Sequence, residues 1–266
     1  MSSATSSSAE GPISKIDAAT QERLAREAEF HDHSFSTHMR ESEVGKFYSI
    51  ARRSYDCYRD LVFGNVAGKD VLEYGCGINS DGLALAAEGA RVTGIDISPV
   101  AIEESNGLAK EQGLTDRVAY HVMNAEELTF PDNSFDLVCG IGILHHLDLE
   151  KGYSEVARVL RPGGYAVFHE PLGHNPLINR FRNRTPHLRT QDEHPLLRED
   201  LRRAKDYFSE VRPHYFHLTS LGIVPLRNTP VFKPLYALTE GLDRLLMTAI
   251  PPLKGWSWYC VMELKK

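Results

Sequence analysis

Residues 71–80 read Val-Leu-Glu-Tyr-Gly-Cys-Gly-Ile-Asn-Ser. A short apolar run ends in an acid, Glu73, and Gly75 and Gly77 then turn the chain into a helical stretch. Glycine permits a tight turn and close approach of backbone to a ligand. The helix start that follows offers unpaired N–H groups. Strand, glycine turn and helix in that order open a βαβ unit. The loop departs from the dinucleotide form G-x-G-x-x-G, because Ser80 stands where the third glycine belongs. Alone it is a weak signal.

Outward from this loop, short apolar runs alternate with helical stretches. Strands are expected at 70–73, 91–96, 117–123, 135–140 and 165–170, with helices at 80–88, 99–112 and 151–160. Such alternation implies a parallel sheet with right-handed crossovers. Beyond it come a long polar segment at 171–195, a helix at 196–207 and a strand at 211–217. An excursion at 218–254 with a helix at 235–249 leads to a final strand at 256–264. Before the core, residues 1–12 are Ser- and Ala-rich and read as a disordered tail. Helical patterns follow at 13–29 and 44–62, the second marked by Phe47, Ile50, Ala51, Tyr55, Tyr58 and Leu61. The expected organisation is a helical cap at 13–62 and a core domain at 63–266, with insertions at 171–204 and 218–254 that cover the substrate. The fold class is α/β: a Rossmann-like, doubly wound, mostly parallel sheet of seven strands, with an N-terminal helical extension and inserted lid segments.

The 266 residues are 42% hydrophobic and 25% charged, which excludes disorder, collagen and coiled-coil rods for most of the chain. No apolar run approaches the ~18 residues of a membrane span. A net charge of -6 disfavours nucleic acid as a partner, since phosphate contacts need cations. Cys57, Cys76, Cys139 and Cys260 form no CxxC pair, and the N-terminal residues lack the apolar core expected of a secretory signal. Both features fit a reduced, cytoplasmic location.

Four further motifs follow the loop. Asp96 ends the second strand, followed by Ile97, and a carboxylate there can accept from both hydroxyls of a ribose. Asn124-Ala125-Glu126 follows the third strand and suits an adenine amino group. Ser134-Phe-Asp-Leu-Val-Cys-Gly140-Ile141 leads into Leu144-His145-His146-Leu147, and Val159-Leu-Arg-Pro-Gly-Gly-Tyr165 precedes the fifth strand.

With these five motifs in order, residues 70–170 resemble the class I S-adenosylmethionine-dependent methyltransferases. Glu73, Gly75 and Gly77 match the acidic-x-Gly-x-Gly-x-Gly motif, with Asn79 in place of its last glycine. The resemblance implies S-adenosylmethionine as cofactor and S-adenosylhomocysteine as product. It places Glu73 toward the methionine end, Asp96 on the ribose, and Asn124, Ala125 and Glu126 on the adenine side. Gly140 and Ile141 would line the sulfonium. Tyr48 and Arg52, four apart on one helix face, are expected to close over the cofactor carboxylate, or else to be a core tyrosine and an arginine reaching water.

Two candidate bases stand at strand ends. Glu170 closes the fifth strand before Pro171 and is expected to point into the pocket as a general base, or else to pair with a nearby arginine. His145 and His146 titrate in a useful range, with a packing role as the alternative. Arg180 and Arg189 represent an arginine-rich segment suited to an anionic group, or to internal pairs such as Arg189 with Asp192. Tyr207, Phe208, Trp256 and Trp258 suit a bulky apolar or cationic substrate. The segment after the fifth strand resembles natural-product methyltransferases of bacteria, and within them enzymes that C-methylate a prenyl alkene, such as those of the geranyl diphosphate and teleocidin type. The resemblance implies a small-molecule substrate. O- or N-methylation with a histidine base and cofactor binding without catalysis are the other readings. No metal is expected from His31, His33, His38 and Asp32 on spacing alone. A homo-oligomer that exchanges the first helix is a further expectation.

Overall fold

The structure, a computed structural model, describes residues 18–37, 39–78, 80–190 and 192–266, without the side chains of 35–49. The expected tail at 1–12, the start of the first helix, His38, Asn79 and the Tyr48 side chain lie outside the described residues.

β1 (Asp70–Tyr74), β2 (Arg91–Asp96), β3 (Val118–Val122), β4 (Phe135–Ile141) and β5 (Leu160–Pro171) are parallel neighbours, and β7 (Tyr259–Lys265) runs antiparallel to both β5 and β6 (Glu210–Phe216). The seven strands lie in the order β3-β2-β1-β4-β5-β7-β6. The chain leaves β1 toward one edge and returns at β4, so the strand order reverses between them. In open α/β sheets that switch point is where ligands bind, beyond the carboxyl ends of the strands.

The central strands are apolar on both faces because both faces are covered. Leu72, Val138, Phe168 and Met262 pack on one side with α5 (Leu149–Val159) and α7 (Arg198–Arg203). Val71, Leu137, Val167 and Val261 pack on the other with α2 (Met39–Phe63), α3 (Gly82–Ala87) and α4 (Pro99–Glu111). Local chemistry places the helix starts. Ser98 caps α4 by accepting from the amide of Ala101 at 3.1 Å, with Pro99 in the first turn. Asn175 does the same for α6 (Pro176–Arg182), accepting from Leu177 at 2.9 Å.

Two differences from the sequence reading have physical reasons. β5 begins at Leu160, and the Pro162-Gly163-Gly164 turn lies within it. Phe135 pairs with Leu160, but Leu137 pairs with Tyr165, so the turn bulges out of the ladder. The first helix, α1 (Ala18–Thr37), does not stop near 29. Residues 30–37, polar apart from Phe30 and Phe35, carry little helical pattern of their own. Tertiary bonds hold them: Asp32 accepts from the Ser98 hydroxyl, and His31 and Ser34 face a cavity. Among the described residues, no helix is long and apolar enough to cross a membrane.

Candidate active site

A cavity of about 580 Å³ lies between α1 and the carboxyl ends of β1, β2 and β4. Glu73, Gly75, Gly77, Asp96, Ile97, Asn124, Ala125 and Ile141 line it, as eight of the expected cofactor residues. Gly75 has φ of +72°, and a Cβ there would lie 2.8 Å from the Ile143 side chain. Only glycine fits this turn without strain. Asp96 is fixed by two amides: Gly77 donates to Oδ2 and Ser98 to Oδ1, each at 2.9 Å. It remains half-exposed to the cavity, with lone pairs for a pair of hydroxyls.

Glu73 is nearly fully buried and organises the loop. It accepts from the Ser80 hydroxyl, from the Asp81 amide at 2.7 Å and from the Gly82 amide at 3.1 Å. Burial raises its pKa to about 7, against the Ser80 hydrogen bond. Its carboxylate oxygens are thus spent on holding residues 80–82 against the strand end.

Other expected cofactor residues lie elsewhere. Glu126 does not line the cavity, because Arg23 of α1 holds its carboxylate at 2.6 and 2.7 Å and the Asp148 amide donates at 2.8 Å. Gly140 is packed between strands, where a Cβ would lie 2.6 Å from the Tyr74 carbonyl. Arg52 is exposed, lies 3.6 Å from Asp56, and borders a different cavity.

That second cavity, of about 470 Å³, adjoins the first; Tyr55, Ile141 and Gly142 line both. Its walls are largely apolar and aromatic: Ala51, Ile178, Phe181, Leu188, Trp258 and Tyr259. The Tyr259 ring stacks on His169 with centroids 4.4 Å apart. Arg182 and Arg189 supply cations. Arg189 donates to the carbonyls of Arg182 and Thr185, both at 2.9 Å, and pairs with Glu193 at 3.1 Å. Asp192, the expected partner of Arg189, instead pairs with Arg26 at 2.9 Å. Arg182 is pushed down to about 10 by burial and by the charge of Arg189.

His145 faces this second cavity from a 3₁₀ turn after β4. Its Nδ1 lies 2.8 Å from Oε2 of Glu170. The other Glu170 oxygen accepts from the amides of Ile143 at 2.9 Å and Leu144 at 2.8 Å. Glu170 is fully buried and lines neither cavity, so it stands behind His145 instead of pointing into the pocket. Along β5 successive side chains alternate faces, and His169 is the one that reaches the second cavity. Burial raises the Glu170 pKa to about 7, opposed by the Leu144 and Ile143 amides. His146 turns toward the first cavity, and burial lowers its pKa to about 4.

Of the expected substrate residues, Trp258 and Arg189 line the second cavity. Tyr207 and Phe208 pack against Tyr153 beneath the opposite face of the sheet, with centroids 6.1 Å from it in both cases. Trp256 and Arg180 are exposed and line neither cavity.

Residues 72–168 match a protein-family model described as a methyltransferase domain. This chain carries a class I S-adenosylmethionine-dependent methyltransferase domain. It is 32% identical over 170 residues to a sterol 24-C-methyltransferase of Gibberella zeae, covering 57% of this chain and 45% of that protein. It is 41% identical over 100 residues to the 27-O-demethylrifamycin SV methyltransferase of Amycolatopsis mediterranei, covering 37% of each. The chain thus spans less than half the length of these two curated relatives. In fold it is similar to a geranyl diphosphate C-methyltransferase from Streptomyces coelicolor, with a TM-score of 0.58 and 19% identity, covering 85% of this chain and 84% of that one.

The methyltransferase domain has room and chemistry for its cofactor: a glycine turn that a side chain would fill, and a fixed carboxylate at the end of β2. The cavity volume lies in the range of small-molecule sites. Sequence reading does not single out Arg23, Leu24 and Glu27, which close the cavity from α1 together with His31, a residue it names without a site role. Nor does it assign a site role to Tyr55 and Gly142, which shape the second cavity beside Arg182 of the arginine-rich segment and Tyr259 of the aromatic cluster. Only Tyr55 gives a signal, because it lies one helical turn after Ala51 on the same α2 face.

Proposed function

We propose that this chain transfers a methyl group from S-adenosylmethionine to a small, largely apolar acceptor of the natural-product type. His145 takes the acceptor's proton, and Glu170 positions His145. The observation that carries this reading is the pair of adjoining cavities, one holding Asp96 and the other His145, which meet at Tyr55, Ile141 and Gly142.

Asp96 would hold the ribose, the 123–125 backbone the adenine, and the Gly75–Gly77 turn the methionine portion. The bound cofactor supplies an activated methyl group. The protein's remaining tasks are alignment and proton removal. The Glu170 carboxylate fixes the His145 ring through Nδ1, so Nε2 is the nitrogen directed to the acceptor, as in other carboxylate-oriented bases. A general base contributes about 10²–10⁴-fold in rate. Arg182 lines this cavity and suits an acceptor that carries an oxyanion at one end.

This arrangement favours O- or N-methylation, where a proton must leave the nucleophile. A second reading, C-methylation of an isoprenoid alkene, has support in the Phe181, Trp258 and Tyr259 rings, whose faces stabilise a passing cation. It is also supported by the likeness to a sterol C-methyltransferase. In that case too His145, and not Glu170 directly, receives the proton.

The test is S-adenosylhomocysteine release with a panel of phenols, hydroxy acids, amines, isoprenoid alcohols and isoprenoid diphosphates. The expected result is turnover of at least one class, with kcat reduced about 10²-fold or more in His145→Ala. Full activity in that variant would contradict the assigned role. Binding of S-adenosylhomocysteine with no turnover across the panel would favour a non-catalytic binding protein.

A further inference from the structure

Glu27 and His31 lie one turn apart on α1, and His146 stands on the 3₁₀ turn after β4. The proposed reaction uses none of them. One ligating atom from each lies within 4.8 Å of the others. Glu27 and His146 are 4% and 6% exposed. Both carboxylate oxygens of Glu27 and both ring nitrogens of His146 are buried with no hydrogen bond to a described residue. Yet Oε2 of Glu27 lies 3.1 Å from Nδ1 of His146 and 3.6 Å from Nε2 of His31.

One carboxylate oxygen thus stands close to a nitrogen of each of two imidazoles, with room for an ion among them. Ligands about 2.1 Å from a tetrahedral divalent ion stand about 3.4 Å apart. The observed separations straddle that value. A buried carboxylate and imidazole in contact but without an aligned hydrogen bond are poorly compensated for lost water, and a cation between them removes that cost.

We infer that Glu27, His31 and His146 form a binding site for a divalent first-row transition-metal ion. Two imidazoles and one carboxylate make a ligand set that suits zinc, iron(II) or manganese and leaves coordination positions open. Nε2 of His146 faces Oε2 of Glu193 at 3.9 Å, so a carboxylate stands behind the ligand ring. Such carboxylates orient metal-bound histidines. All three ligands line the first cavity, so the ion would tie α1 across its mouth. Spacing in the sequence cannot show this, because His146 lies far along the chain from the α1 pair.

The site itself does not depend on what the cavity binds, and its test reads metal directly. Tag-free full-length protein, stripped with a chelator, is titrated with Co²⁺ and with Zn²⁺. The expected result is one equivalent bound, visible ligand-field absorption with Co²⁺, and a thermal midpoint raised by several degrees. His31→Ala and Glu27→Gln are expected to weaken binding at least 100-fold and to abolish the midpoint rise. Circular dichroism identifies the variants that keep the fold, and His31→Asn replaces any that do not. Absence of stoichiometric binding to the wild type would overturn the inference, as would equal binding to folded variants.

Discussion

On the β1–β3 side of the sheet, the cavity is built on consecutive strand ends and the turns that leave them, at 75–78, 95–97 and 123–125, with α1 closing over them. On the β5–β7 side, the wall is gathered from segments distant in sequence: α2, the ends of β4 and β5, α6, the 186–188 turn and β7. On the proposed reading, the first construction serves the cofactor, and its requirements are conformational. The second serves the acceptor, and its requirements are shape and charge. The two therefore fail in different ways when altered.

The largest effect is expected from His145→Ala, with kcat lowered about 10²–10³-fold and S-adenosylhomocysteine affinity within about twofold of wild type. Glu170→Gln keeps the shape but weakens the hold on His145, and a loss of about 10–100-fold in kcat is expected from one charge-assisted hydrogen bond. Steady-state kinetics with calorimetry measures both. Cofactor affinity falling in parallel with kcat would erase the division between the two sides.

Asp96→Ala makes the opposite cut. Losing hydrogen bonds to a carboxylate costs about 1.5–3 kcal/mol, or about 10–100-fold in affinity. Gly75→Ala adds a Cβ at positive φ, 2.8 Å from Ile143, and is expected to cost about 1–3 kcal/mol in stability by denaturant unfolding.

The β5–β7 side also contains two buried histidines whose pKa burial lowers. Nε2 atoms of His169 and His217 lie 2.9 and 3.0 Å from the Ser54 hydroxyl. Burial, then the nearby His169 and Arg53, lowers the His217 pKa to about 3 from a usual 6.5. Below pH 6.5 the unfolded chain binds a proton that the folded chain refuses, so stability falls as pH falls. Between pH 7 and pH 5 the wild type is expected to lose about 2 kcal/mol more than His217→Asn in urea unfolding. Equal slopes would show that His217 accepts its proton in the folded state. The smallest effect belongs to Trp256→Ala and Arg180→Ala, which line neither cavity. Both are expected to leave turnover within about twofold, since exposed positions rarely matter by more than about 0.5 kcal/mol.

The same contrast explains what could be read in the chain. Tight turns and strand-end acids leave local signatures, so Glu73, Gly75, Gly77 and Asp96 were recognisable together, as was the alternation that builds the parallel sheet. The acceptor wall has no local signature, because its members come from segments distant in sequence. Trp256 and Trp258 look equivalent in the chain, yet only Trp258, beside β7, reaches the cavity. Glu170 is at the expected strand end, but its side chain emerges on the face covered by the 3₁₀ turn and is capped by that turn's amides. Glu126 sits in the expected motif, and its partner Arg23 comes from a helix more than a hundred residues earlier.

The most direct measurement is calorimetric titration of S-adenosylhomocysteine into wild type, Asp96→Ala and His145→Ala. The expected result is binding to the wild type, binding weakened about 10-fold or more in Asp96→Ala, and nearly unchanged binding in His145→Ala. No binding to the wild type, or equal weakening in both variants, would contradict a cofactor cavity on the Asp96 side and an acceptor cavity on the His145 side.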